Sequence, residues 1–273
     1  MSLIPKVIYQ SWRTKNLDSV MAKNVENLKK LNPEYQYKLY DDSDCREFLL
    51  KNFGYNYANA FDVLVPGAFK CDFWRYAVLY VNGGVYLDMD IKPLYGFNDI
   101  LKSTDTFVSV VDREWGMDKC PGIYQAFIAC KPKHPLLLYA LQLSFSNIVT
   151  RRISVNTLDI TGPTVMAIAF NLYLHKEKTY SKIKSGDYGD GTRLFIMSPK
   201  HTYDLQGKVI FNNKFDGYDR GSNDYSLVLR YYRDNPLPIS NFIITLVTRY
   251  KIVILLVLAA ILIILYMKMC KSK

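Results

Sequence analysis

The chain is poor in cysteine and has no close cysteine pair. Cys45, Cys71, Cys120, Cys130 and Cys270 show no C-x-x-C spacing and are odd in number. No disulfide framework is written into that pattern, and free thiols in a reducing environment are expected. Buried packing is the expected role of the first four. No asparagine stands in an N-x-S/T sequon, which agrees. Histidine is scarce as well, and His134, His175 and His201 are too scattered to form a site. Zinc-finger spacing and RNA-recognition signatures are absent, so the net charge of +10 does not read as nucleic-acid binding. Half of that excess, Arg249, Lys251, Lys268, Lys271 and Lys273, lies between Asn241 and the end, where there is no acid. The glycine-rich phosphate loop with a following basic residue expected near the N-terminus of a nucleotidyltransferase is missing. There are no internal repeats. A signal peptide is not expected, because Pro5 and Lys6 break the apolar run and Ile4 to Trp12 reads as a first core strand.

What is present suffices for one sizeable domain with an appendage: 273 residues, 49% hydrophobic and 14% aromatic. Strand and helix signals alternate through the first half. Met21, Val25 and Leu28 mark a helical face that stops at Asn32-Pro33. Tyr35 to Tyr40 reads as a strand, and Ser43 to Phe53 as a helix closed by Gly54. Phe107 to Val111 reads as a further strand and Leu136 to Ile148 as a helix. Such alternation predicts an α/β domain with a mainly parallel sheet, binding its ligand at the carboxyl ends of the strands.

The richest stretch is Cys71-Asp72-Phe73-Trp74-Arg75-Tyr76, followed by Asn82-Gly83-Gly84-Val85-Tyr86-Leu87-Asp88-Met89-Asp90. Phe69, Phe73, Tyr76 and Tyr80 recur at helical steps, which predicts a helix from Gly67 to Val81 with one buried face. Asp72 and Arg75 are three apart and project together. Gly83-Gly84 permits a sharp exit. In the strand that follows, Asp88 and Asp90 point the same way and Met89 the other. Two carboxylates on one edge are costly without a positive charge between them. Mg²⁺ or Mn²⁺, shared with phosphate oxygens, supplies such a charge. The bland readings are solvated loop acids for Asp88 and Asp90, and a surface salt bridge for Asp72 and Arg75.

Around this stretch stand Ile4-Pro5-Lys6-Val7-Ile8-Tyr9-Gln10-Ser11-Trp12 and Asn32-Pro33-Glu34-Tyr35-Gln36-Tyr37-Lys38-Leu39-Tyr40-Asp41-Asp42. Downstream come Phe127-Ile128-Ala129-Cys130-Lys131-Pro132-Lys133-His134-Pro135 and Thr161-Gly162-Pro163. In order and spacing, from about Ile4 to about Pro163, the chain resembles the D-x-D sugar-transferase family. That family includes yeast-type initiating α-mannosyltransferases, inositol-phosphoceramide mannosyltransferases and α-galactosyltransferases, and its core resembles the glucosylating domain of clostridial toxins. The resemblance implies a GT-A-type domain and transfer of a sugar from a UDP- or GDP-sugar to an acceptor hydroxyl, with retention of configuration and without an assigned protein nucleophile. It also implies Asp90 as the main ligand of Mn²⁺ or Mg²⁺, and Asp88 at ribose, sugar or a metal-held water. Asp72 and Arg75 would bind donor sugar hydroxyls. Trp12 would either stack on the nucleotide base or pack in the core. Family members commonly close the domain with a histidine stretch and a Ser-Trp pair. Residues 216–226 here have neither histidine nor tryptophan. Asn223, Asp224 or Asp219 can replace the missing ligand, or can be ordinary turn residues. If nothing replaces it, the alternative is a catalytically impaired nucleotide-sugar-binding or scaffold protein with the same fold.

From Ile252 to Met267 no residue is charged. Sixteen residues at ~1.5 Å each make roughly 24 Å of helix, a little short of a ~30 Å hydrocarbon core. Flanking Arg249, Lys251 and Lys268, with Tyr250 and Tyr266, suit the two interfaces. The expected organisation is a transferase domain over 1–234, a linker over 235–241, a membrane-associated segment over 242–268 with a single-pass helix at 252–267, and a basic tail over 269–273. With an anchor so placed, the domain is expected in the cytosol. Both flanks are positive, so the charge bias leaves a lumenal orientation open. The acceptor expected beside a membrane is a lipid or a glycan.

Overall fold

The structure is a computed structural model that describes residues 2–65, 67–115, 120–152, 157–176 and 181–213. Strand β1 (Val7–Ser11) leads into α1 (Ser19–Leu31), whose first turn is capped by the Asp18 carboxylate on the amides of Val20 and Met21. Then follow β2 (Gln36–Tyr40), α2 (Asp42–Phe53) and α3 (Tyr55–Asp62). A reciprocal box between Asp41 and Asp44 starts α2, and Gly54 ends it at φ 85°. Next come α4 (Gly67–Asn82), β3 (Gly84–Leu87), β4 (Lys92–Pro93) and the short α5 (Phe97–Ile100). β5 (Phe107–Trp115) and β6 (Cys120–Cys130) precede α6 (Pro135–Val149) and α7 (Pro163–His175). β7 (Gly186–Asp187), β8 (Thr192–Met197), β9 (His201–Tyr203) and β10 (Val209–Asn212) complete the described part.

The strands form one sheet in the order β2-β1-β3-β6-β5-β8-β9-β10-β4, with β7 added on β8. β1 is parallel to β2 and β3, and β5 is parallel to β8, but β6 runs antiparallel to both its neighbours. The pairs from β8 through β9 and β10 to β4 are antiparallel too. The sheet is therefore mixed, which corrects the mainly parallel sheet expected from sequence. The reason is loop length. β5 reaches β6 without room for the crossover that a parallel pair needs, and β8 to β10 follow one another through short turns.

Alternation along the strands fills both faces. Tyr9, Tyr86, Ile128 and Cys130 join a core with α2, α3, α4, α6 and α7, whereas Ile8, Val85, Leu87 and Ala129 join Phe97, Phe195 and Phe211 on the opposite side. Helix α4 lies between β3 and β6 of the sheet and helices α2, α3 and α6. Phe69, Phe73, Trp74, Tyr76, Ala77, Val78 and Leu79 are all buried. The expected single buried face is thus corrected: α4 is enclosed nearly all round, as a helix at the centre of a layer must be. Its exit explains the two glycines. Gly83 and Gly84 take φ of 64° and 104°, and an added Cβ would meet Pro132 Cδ at 2.6 Å or the Val7 carbonyl at 2.7 Å.

Among the described residues no helix is long and apolar enough to cross a membrane. The expected span at 252–267, and residues 214–273 as a whole, lie outside the described residues.

Candidate functional site

The site is built where α4 crosses the carboxyl end of β3. Arg75 is 4% exposed and its Nη2 lies 3.1 Å from Asp88 Oδ1 and 3.4 Å from Asp72 Oδ1. Nη1 donates to the Gln125 carbonyl at 2.7 Å, and Nη2 also reaches Cys71 Sγ at 3.0 Å. The guanidinium carbon sits 4.3 Å over the Tyr86 ring. Tyr86 donates its hydroxyl to Asp88 Oδ1 at 2.5 Å, and Cys71 Sγ lies 2.8 Å from the Tyr86 hydroxyl oxygen. Ser11 Oγ closes the circle 3.0 Å from Cys71 Sγ. Asp72 accepts from the Thr161 hydroxyl at 3.0 Å, while Tyr76 and Gln125 side chains donate to the Thr161 carbonyl.

Charge follows burial. Burial pushes the Asp72 carboxyl up to about 7, against the lowering pull of Arg75. Burial also opposes the Arg75 charge, yet Asp88, with Cys71, Tyr86 and Asp72 behind it, holds that group above its ordinary range. Tyr86 is raised well up, first by burial, and so remains a donor to Asp88. A surface salt bridge between Asp72 and Arg75 is thereby excluded.

Asp88 and Asp90 do not lie on one strand as expected. β3 ends at Leu87, and a turn closes with the Ile91 amide on the Asp88 carbonyl at 3.2 Å. Two buried amides hold that turn by its backbone. Gln10 Nε2 donates to the carbonyls of Leu87 (3.1 Å) and Asp88 (3.3 Å), and Asn24 Nδ2 to those of Met89 (3.0 Å) and Ile91 (2.9 Å). Met89 packs against Met21 and Val25, with Trp12 alongside, while Asp88 and Asp90 stay half-exposed. Trp12 is thus partly core and close to the turn, and Arg13 lies 5.4 Å over its ring.

Strand β6 bulges beside this network. Val108 pairs with Ala129, yet Val110 pairs with Tyr124, so β6 has extra residues between these two pairs. Ser109 Oγ secures them by donating to the carbonyls of Tyr124 (2.9 Å) and Phe127 (3.0 Å). The bulge delivers the Gln125 carbonyl to Arg75 and sets Tyr124 among Asp90, Asp88 and Asp112; after burial, these charges raise its pKa. Gln10, Asn24, Ser109, Tyr124 and Gln125 were not singled out from sequence. Cys71, expected as inert packing, belongs to the network instead. Cys45 and Cys130 are buried as expected. Asn223, Asp224 and Asp219 lie outside the described residues. His134 caps α6, accepting from the Leu136 amide at 3.4 Å, and takes no part here.

Asp88 and Asp90 are hard oxygen donors of the kind Mg²⁺ and Mn²⁺ take, and such ions keep phosphate oxygens and waters as their other ligands. The chemistry of this donor pair fits, although Asp88 Oδ1 is already engaged by Arg75 and Tyr86. Among the described residues no group of three or more His, Cys, Asp or Glu side chains is arranged to hold a metal.

Residues 18–107 match the family described as the glycosyltransferase sugar-binding region containing a DXD motif. That stretch runs from the cap of α1 through both aspartates of the turn. An uncharacterised glycosyltransferase of Acanthamoeba polyphaga mimivirus is 30% identical over 145 residues, 52% of this chain and 56% of that protein. Inositol phosphoceramide mannosyltransferase 1 of Schizosaccharomyces pombe is 30% identical over 147 residues, 52% of this chain and 43% of its own length. The chain thus matches about half the length of these curated relatives. Among solved structures, the PaToxG glycosyltransferase shares the fold, with a TM-score of 0.51 at 21% identity over 63% of this chain and 70% of that one.

Proposed function

We propose that the chain is a metal-dependent glycosyltransferase that moves a hexose from a nucleoside-diphosphate sugar to a hydroxyl of a membrane-proximal glycolipid or glycan, retaining anomeric configuration. The observation that carries this is the Asp72–Arg75–Asp88 assembly, buried on the helix side and half-open at Asp88, inside the matched sugar-binding segment. Asp90, with Asp88 beside it, would hold Mn²⁺ or Mg²⁺. When bound, the ion stabilises the charge of the departing diphosphate as a Lewis acid. Arg75 spends its contacts inside the protein, so its part is to fix Asp88 and Asp72 in place, with Asp72 toward the donor sugar. Tyr86 orients Asp88 from below, and Gln10 and Asn24 keep the turn rigid. Trp12 borders the same opening on the side where the nucleotide base would stack.

The transferase domain is taken to run over 1–234, with Asn223 or Asp224 supplying a further oxygen ligand. The uncharged run at 252–267 supports a single-pass anchor, with the domain cytosolic. Similarity to the inositol phosphoceramide mannosyltransferase of Schizosaccharomyces pombe makes an inositol phosphoceramide the first acceptor to try. The test uses the full chain in detergent with Mn²⁺ and with UDP-glucose, UDP-galactose or GDP-mannose, following release of nucleoside diphosphate. One donor is expected to be consumed, and the Asp88→Ala/Asp90→Ala double variant to be silent. Metal-dependent donor binding without release would instead identify a binding or scaffold protein.

A further inference from the structure

The turn that carries Asp88 and Asp90 is held from the protein side by a relay of side chains that starts on β2, the last strand at one end of the sheet. Tyr37 on β2 stands in register with Ile8, two residues before Gln10 on the same face of β1, so its ring reaches diagonally to Gln10. The Tyr37 hydroxyl donates to Gln10 Oε1 at 2.9 Å, and Gln10 Nε2 donates onward to the Leu87 and Asp88 carbonyls. A primary amide can turn over and exchange its oxygen for its nitrogen. Two carbonyls accept only the nitrogen, and the Tyr37 hydroxyl fixes the other end as the acceptor. Burial raises the Tyr37 pKa, so this hydroxyl keeps its proton at neutral pH. The ring is itself fixed twice. It packs against the cluster of Met21, Val25 and Met89, and Lys29 Nζ on α1 lies 4.4 Å from its centre.

We propose that Tyr37 is a positioning residue for the metal-binding turn, acting through Gln10 on the backbone at Asp88 and so on where that carboxylate stands. This rests on the metal-dependent site proposed above. The Leu87 and Asp88 carbonyls flank the Asp88 Cα, so two bonds from one amide set the backbone from which the Asp88 side chain projects. Mg²⁺ demands near-ideal octahedral geometry, and a carboxylate that drifts with its backbone serves it poorly. Asn24 holds the Met89 and Ile91 carbonyls from α1 by bonds of its own. Loss of the Tyr37 hydroxyl therefore loosens the Asp88 side of the turn and leaves the Ile91 side held. The consequence is weaker metal binding in a chain that still folds.

The experiment measures Mn²⁺ binding to the full chain in detergent, with UDP or GDP present, from the electron paramagnetic resonance signal of free Mn²⁺. Nucleoside diphosphate release and urea unfolding are followed beside it. Tyr37→Phe keeps the ring and its packing and removes only the hydroxyl. It is expected to weaken Mn²⁺ binding about 5- to 10-fold with the urea midpoint nearly unchanged, and to lower turnover more at limiting than at saturating Mn²⁺. Gln10→Leu is expected to weaken binding at least as much. Adding Tyr37→Phe to it should then change binding by no more than about twofold, because two residues that act through one contact are not additive. Tyr35→Phe, whose ring packs on Phe97 instead, should leave Mn²⁺ binding as it is. Unchanged Mn²⁺ binding in Tyr37→Phe, a loss that adds in full to that of Gln10→Leu, or a loss that only follows the unfolded fraction overturns the assignment. A wild type that binds Mn²⁺ but consumes no donor overturns the transferase reading, and the binding data alone then decide the role of Tyr37. A wild type that binds no Mn²⁺ overturns both.

Discussion

Arg75 and Arg193 are both 4% exposed, and each faces aspartate, yet they are held in different ways. Arg193 grips Asp105 with two parallel bonds, Nε to Oδ1 at 2.7 Å and Nη2 to Oδ2 at 2.5 Å. Its Nη2 also donates to the Ile100 carbonyl, and Asp105, itself 1% exposed, takes the Lys102 amide as well. The pair is closed, and it ties the loop after α5 to β8. Arg75 is shared by two carboxylates through one nitrogen, at 3.1 and 3.4 Å, and one of these, Asp88, keeps 30% of its side chain in contact with solvent. A closed bidentate pair has nothing left to offer a ligand, whereas a shared and partly open one still does. Burial of an ion pair therefore does not tell function from structure, but the number of partners and the exposed side do.

The sharpest way to break this contrast is to remove each guanidinium in turn. Arg193→Met leaves Asp105 buried and unpaired, and a loss of about 3–5 kcal/mol in urea unfolding is expected. Replacing Asp105 by Leu in the same chain should recover much of that loss, since an apolar pair can substitute for a buried ionic one. Arg75→Met should cost only about 1–2 kcal/mol, because Asp72 is ready to take a proton and Asp88 reaches water. Nucleoside diphosphate release should nevertheless drop about 10³-fold. Equal stability losses, or an active Arg75→Met, would remove the distinction.

Proton linkage offers the next effect, with opposite signs in two regions. Asp72 has a folded pKa of about 7, so between its unfolded value of about 4 and that point the folded state holds the extra proton. Stability from this group is complete below about pH 4 and declines by up to about 4 kcal/mol as pH rises through 7. His134, buried against Phe107 and Tyr173, is lowered to about 4, first by burial and then by Lys131. There the unfolded chain binds the proton first, so stability is complete above about pH 6.5 and falls by about 3 kcal/mol as pH drops through 4. Unfolding free energies measured against pH should show Asp72→Asn gaining on the wild type above pH 7, and His134→Asn losing its acid sensitivity. A wild-type curve unchanged in shape by either substitution would contradict the burial argument.

The two halves of the site were unequally legible. Asp72, Arg75 and Asp88 could be read because helical spacing and the Gly-Gly exit place them by local rules alone, and Met21, Val25 and Leu28 are buried on α1 where their periodicity puts them. The mixed direction of the sheet was not legible, since it depends on which strands a short β5–β6 connection brings together. Gln10 and Asn24 act through side-chain amides that donate to backbone carbonyls 65 or more residues away, and Gln125 through a backbone carbonyl that accepts from Arg75 and an amide that donates to the Thr161 carbonyl. Nothing in their neighbours in sequence announces such a role. Tyr124 and Asp112 depend on a bulge whose register is a property of the assembled sheet. Only Ser109, a hydroxyl within the apolar run Phe107 to Val111, left a visible mark there.

The smallest effect separates two cysteines that look alike in sequence. Cys130 is fully buried in the core, and its Sγ donates to the Leu79 carbonyl at 3.6 Å. Cys71 lies between Ser11 Oγ, Tyr86 Oη and Arg75 Nη2, at 2.8 to 3.0 Å from each. Burial raises the thiol pKa of both, Cys71 in spite of Arg75, so neither works as a thiolate near neutral pH. The role of Cys71 is then to support Arg75 and Tyr86 sterically and as a weak hydrogen-bonding partner. Cys130→Ala should cost about 1 kcal/mol of stability and leave kcat unchanged. Cys71→Ala should cost no more in stability but lower kcat about tenfold, since Arg75 and Tyr86 then hold Asp88 less firmly. Cys71→Ser, which restores a polar atom at the same place, should recover most of the rate. If the two alanine variants behave alike in turnover, Cys71 is packing after all, and the network around Asp88 begins at Tyr86.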